Sequence, residues 1–149
     1  MTEVLFYHLQ NRTVEDVLPG LLERSVERGW RVVVQCSEDR VETLDAHLWT
    51  YKDDSFLAHG TQREGQAADQ PVLLTPNDDN PNDASVRFLV DGAPLPQDAA
   101  PYERIVLLFN GDDPDAVTTA RERWTAAKSA GLDVTYWQPD ENGRWQRKA

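Results

Sequence analysis

The chain has 149 residues, a single cysteine and a formal net charge of −11. That length supports one autonomous core without a staple, the lone Cys36 excludes an internal disulfide or a multi-cysteine metal centre, and the acidic balance disfavours wrapping nucleic acid by electrostatics alone. The charge is uneven: residues 1–120 carry 9 basic and 22 acidic side chains, whereas residues 121–149 carry 6 basic and 4 acidic ones, a positive island on an acidic body.

The first element is the apolar run VLFYHL, suited to a buried strand. TVEDVLPGLLERSVERG follows, with Val14, Val17, Leu18, Leu21, Leu22 and Val26 at helical spacing, Thr13 placed to cap and Gly29 to terminate. Pro19 lacks an amide and predicts a kink or a delayed regular helix. RVVVQC is a β-branched second strand that leaves Cys36 as a buried thiol at its end. Ser37 then caps EDRVETLDAHLW, with Val41, Leu44 and Leu48 on one stripe.

HLWTYKDDSFLAHG, His47 to Gly60, concentrates a tryptophan, a tyrosine, a phenylalanine and two histidines where that helix should end. A polar loop, the short strand PVLLT, a turn-rich PNDDNPNDAS segment and the strand VRFLV come next, then a proline-punctuated connection and the strand ERIVLLF. DPDAVTTARERWTAAKSAG predicts a helix with Pro114 near its first position and Gly131 just past its end. DVTYWQ and GRWQR make a last strand or hairpin about Asn142-Gly143. The order β-α-β-α-β-β-β-α-β predicts one Rossmann-like domain over residues 1–149, an open, largely parallel α/β sheet with helices on both faces.

Chemistry-bearing motifs are sparse. Open α/β sheets bind ligands beyond the carboxyl ends of their strands, which makes His8 after the first strand and Cys36 after the second the first enzymatic candidates. The crossover HLQNRTVED after it offers no glycine to let amides approach a phosphate, and no Walker-type loop occurs. The loop from Asp78 starts like a calcium loop, but its sixth position is Asp83 in place of glycine and its twelfth is Leu89 in place of glutamate. His47 and His59 have no zinc-ligand pattern around them. No metal or cofactor is expected. On the last helix Val117, Ala120, Trp124 and Ala127 share an apolar stripe bordered by Arg121 and Lys128, which suits either a core tryptophan with surface cations or a pocket for an apolar residue bearing a carboxylate.

LDAHLWTYKDDSFLAHG, QPVLLT, YERIVLLF and ARERWTAAKSAGLDVTYW together resemble, in order and spacing, the chi subunit of the bacterial DNA polymerase III holoenzyme across nearly the whole chain. The resemblance implies a non-catalytic accessory subunit that bridges the clamp-loader complex, through the psi subunit, to the acidic C-terminal tail of single-stranded DNA-binding protein. It assigns tail binding to Trp49, Phe56, Arg121 and Trp124. Members of the family commonly have a tyrosine followed by a lysine where this chain has Trp124 and Thr125, leaving Lys128 as the cation available to complete the rim, and the PNDDNPNDAS loop is an addition. A cytoplasmic protein is expected, with no membrane segment, no basic leader and no direct DNA binding. The competing reading is a small Rossmann-like enzyme or ligand-binding protein using His8 and the strand ends. A packed first βα loop argues against it and an open cleft argues for it.

Overall fold

The computed structural model describes residues 2–50, 59–61 and 67–149. Its strands are β1 (Glu3–Leu9), β2 (Val32–Gln35), β3 (Gly60–Thr61), β4 (Val72–Thr75), β5 (Val86–Leu89), β6 (Arg104–Asn110), β7 (Asp133–Pro139) and β8 (Trp145–Arg147). The helices are α1 (Val14–Glu27), α2 (Glu38–Thr50) and α3 (Pro114–Ser129). All eight strands join one sheet in the order β3-β4-β2-β5-β6-β1-β7-β8, parallel throughout except for the terminal β7–β8 hairpin. This is the open α/β sheet the pattern predicts, with the two-residue edge strand β3 added beyond it.

Side-chain alternation along the strands separates two apolar cores. Leu9, Val32, Val34, Val86, Phe88, Val106 and Leu108 pack with Leu18 and Leu22 of α1 and Val41, Leu44 and Leu48 of α2. Val4, Phe6, Ile105, Leu107, Phe109 and Val134 face the other way, onto Ala120, Ala127 and Trp124 of α3. Two helices therefore cover one face and the third covers the opposite one.

Local chemistry sets the helix ends. Thr13 and Asp16 form a reciprocal capping box on α1, which holds the Asp16 carboxyl below its usual value through the Thr13 amide. Gly29 sits just past the end at φ 82°, the left-handed conformation that favours glycine there. Pro19 does not delay the helix. The carbonyl its missing amide would have served, Glu15 O, accepts a 2.8 Å hydrogen bond from His47 Nε2 of α2. The same imidazole therefore satisfies α1 and ties the helix pair, aided by an Arg40 guanidinium paired with Glu15 and, at 3.3 Å, with Asp91.

The turn-rich segment after β4 has a structural role. Arg87 of β5, fully buried, donates to Gln35 Oε1 at 2.6 Å, to the carbonyls of Asn77 (2.5 Å) and Asp79 (2.9 Å), and to the Tyr102 hydroxyl (2.9 Å). Asn82, also fully buried, donates to Val32 O and Gln70 O, both at 3.0 Å, and Asn80 closes its own turn onto Ala84. The asparagines and main-chain carbonyls of this segment thus serve buried donors and their own turn.

Cys36 is buried at the end of β2, and desolvation, assisted by Asp91 and Asp39, pushes its thiol up to about 12 from 9.0. A raised thiol pKa stabilises the fold fully below pH 9 and loses that contribution as pH rises toward 12. Folded protein is accordingly expected to resist a thiol reagent at pH 8 and to react at the rate of a free thiol in denaturant; rapid modification of the folded protein at that pH would contradict the buried placement.

Candidate functional site

Four strand positions and one helix face enclose a cavity of 280 Å³ beside α3, lined by Phe6, His8, Phe109, Val117, Ala120, Arg121, Trp124 and Tyr136. The parallel register brings the strand residues together: His8 lies opposite Phe109, and Phe6 opposite Tyr136. Phe6, His8 and Tyr136 all point to the α3 face because each occupies the same phase of its strand's alternation. The floor is aromatic. Trp124 meets Phe6 edge-on at 5.3 Å between ring centroids and Tyr136 at 6.0 Å, and His8 meets Phe109 at 5.1 Å.

The rim is cationic. Arg121 is exposed at the mouth and, among the described residues, its side chain makes no ion pair, while Lys128 Nζ stands 5.2 Å from the centroid of the Trp124 ring. The cavity's other polar groups are neutral at physiological pH. Burial pushes the Tyr136 hydroxyl above its ordinary value against the pull of Arg121, and burial lowers His8 against the opposing influence of Asp112. Tyr136 and His8 are hydrogen-bonded to each other through the hydroxyl and Nδ1. The arrangement suits a ligand with one apolar group to seat and one anionic group to meet a guanidinium. At 280 Å³ it lies just under the usual size of small-molecule sites.

Strand connections reverse direction between β6 and β1, the position where open α/β sheets commonly open a ligand crevice. Here the two loops are stitched together. Gly111 N–H donates to Leu9 O at 2.7 Å, and Asn11 N–H donates to Asp112 Oδ2 at 2.9 Å. Gly111 lies so close to the imidazole that a Cβ on it would fall 1.8 Å from His8 Nε2. The glycine lets His8 pack under the loop and face the α3 cavity.

Arg121, Trp124 and Lys128 are thus brought together as their helical spacing suggests. Trp49 is not with them. It ends α2 on the other face of the sheet, beside β3 and β4, and β4 is four strands from β1, roughly 19 Å at ~4.8 Å per strand. The residue is 50% exposed, and its ring lies 4.5 Å from that of His59, whose Nε2 is 3.0 Å from Asp45 Oδ1. The helix that carries Trp49 packs on the face of the sheet opposite α3. Phe56 lies outside the described residues. Phe6, His8, Phe109 and Tyr136 were not anticipated as walls: their alternation is visible in the sequence, but the strand adjacency that gathers them is not.

The structure is an open, mostly parallel α/β sheet with an apolar, cation-rimmed cavity against its last long helix. The chain belongs to the family of the DNA polymerase III chi subunit, HolC, whose model matches residues 1–135. It is 30% identical over 91 residues to the probable DNA polymerase III subunit chi of Rickettsia prowazekii (strain Madrid E), a match covering 60% of this chain and 55% of that protein, so the chain spans about half the length of the curated relative it matches. Among the described residues no helix is long and apolar enough to cross a membrane.

Proposed function

We propose that this protein is a non-catalytic accessory subunit of the replicative polymerase, linking the psi subunit and clamp-loader complex to the C-terminal tail of single-stranded DNA-binding protein. The observation that carries the reading is the α3 cavity. Its aromatic floor of Phe6, Phe109, Trp124 and Tyr136 receives the last apolar side chain of the tail, and Arg121 receives the terminal carboxylate, with Lys128 beside it. Membership of the chi family supports the assignment to replication. The packed loop over His8 and the hydrogen bond of its imidazole to Tyr136 favour docking over catalysis.

A bridge needs two surfaces that can be occupied together. Trp49, the exposed large apolar side chain among the described residues, lies across the sheet from the tail cavity and so belongs to the second surface, toward psi. Trp49→Ala is expected to leave tail-peptide affinity within about twofold, at a stability cost of about 1 kcal/mol because the residue is already half exposed. Fluorescence titration alongside a thermal melt checks both. A folded variant that loses the tail peptide would merge the two surfaces and defeat this division.

The reading is tested on DNA coated with single-stranded DNA-binding protein. Association is expected with coated DNA, to weaken as salt rises, and to vanish when the coating protein lacks its last residues. Bare single-stranded oligonucleotide is expected not to bind at physiological salt, given the net charge of −11. Association that survives removal of the tail would refute the proposed docking.

A further inference from the structure

On the α1 face, near the amino ends of the strands, lies a second and smaller cleft of 110 Å³ that the tail reading does not use. Arg24, Arg28 and Arg104 line it together with Trp30, Tyr7 and Ser25. The three guanidiniums come from the last turn of α1 (Arg24), its C-cap (Arg28) and β6 (Arg104), distant in sequence. Burial raises the Tyr7 hydroxyl above its usual value, against the electrostatic pull of Arg104, Arg24 and Arg28. Trp30 is the scaffold: Arg28 and Arg104 each place their guanidinium carbon 5.1 Å from its ring.

Beyond their stacking on Trp30, these cations are little engaged by the protein's own acceptors. Helix α1 ends with its carbonyls already served by main-chain and hydroxyl donors: Ser25 Oγ donates to Leu21 O, Arg28 N to Arg24 O, Trp30 N to Ser25 O and Gly29 N to Val26 O. Among the described residues Arg24 and Arg28 have no carboxylate partner, and Arg104 has only a loose 3.4 Å contact with the half-exposed Glu3. Three like charges converging on one cleft repel one another. In a chain of net charge −11, with acidic side chains in excess, they nonetheless meet around the Tyr7 phenol.

We propose that Arg24, Arg28, Arg104 and Tyr7 form a binding site for a phosphate dianion, either free phosphate or the terminal group of a phosphate monoester. The planar N–H forks of the arginines match phosphate oxygens, and the Tyr7 hydroxyl adds a neutral donor from the floor. The cleft has the liquid volume of roughly four water molecules, room for one such group. A dianion is favoured over the singly charged diester of a nucleic-acid strand, because the flanking phosphates of a strand would run onto an acidic body.

The test is a titration of the full chain, at constant ionic strength, with inorganic phosphate, with a nucleoside 5′-monophosphate and with an oligonucleotide carrying only diester phosphates, following the Trp30 indole N–H by NMR. Saturable shifts are expected with phosphate, with the monoester or with both, the pair distinguishing the source, and none with the oligonucleotide. Arg24→Gln/Arg28→Gln, at exposed positions in the last turn and C-cap of α1 that glutamine tolerates, is expected to weaken binding about tenfold or more with the thermal transition intact. Arg12→Gln/Arg123→Gln removes the same charge from the loop after β1 and from α3, away from the cleft, and is expected to change it less than about twofold. Tyr7→Phe, which deletes only the hydroxyl, should weaken it by about threefold. Absence of a saturable Trp30 shift, equal losses in the two double variants, or oligonucleotide binding as tight as that of phosphate would overturn the site.

Discussion

Replacing Arg87 with methionine is expected to lower the free energy of unfolding by about 2–5 kcal/mol, because several buried acceptors lose their donor at once and each costs about 1–3 kcal/mol when left unsatisfied. The guanidinium sits on the α3-side face of β5 with no exposure to solvent, and its acceptors come from β2, from the segment after β4 and from Tyr102. Methionine fills much of the same volume, which isolates the hydrogen-bond loss from a cavity. Arg87→Lys keeps the charge but not the fork, and is expected to be destabilised as well. Urea unfolding checks this through the midpoint at constant slope. A loss under about 0.5 kcal/mol for either variant would mean that the segment after β4 is held by something else.

Arg121→Ala is expected to weaken binding of the tail peptide by about 1.5–3 kcal/mol, the range for a hydrogen bond to a charged group, while the fold stays intact. The estimate is bounded by exposure: Arg121 stands at the cavity mouth, where solvent screens it, and lacks the buried setting that would make the loss larger. Arg121→Lys should recover only part of the affinity, since an ammonium cannot grip a carboxylate with two parallel donors. The side chain supports no described ion pair, so a large fall in melting temperature on its removal would assign it a structural role instead.

The elements were legible because each strand is a short apolar run and each helix carries a stripe with its own stop signals, as Thr13, Gly29, Pro114 and Gly131 show. The helical half of the candidate site was legible for the same reason: Arg121, Trp124 and Lys128 are fixed by 3.6-residue spacing. Sheet order was not. Nothing local tells β1 to lie between β6 and β7, and that adjacency brings Phe6, His8, Phe109 and Tyr136 under α3. The face that each helix covers was not legible either, since a helical stripe does not say which side of the sheet it packs on, and α2 with Trp49 lies opposite α3. Arg87 carried a signal that could have been used. A lone arginine inside the run VRFLV, preceded by a segment rich in Asn and Asp, marks a buried donor with acceptors nearby.

The most direct measurement is a double cycle on the tail peptide, comparing a free C-terminal carboxylate with its amide against the wild type and Arg121→Ala. The carboxylate is the group assigned to Arg121, so amidation is expected to weaken binding to the wild type by about 1.5–3 kcal/mol and to have little effect on the variant. If the wild type binds the amidated peptide as well as the free acid, or if the penalty of amidation survives removal of Arg121, then the α3 cavity does not hold the end of that tail.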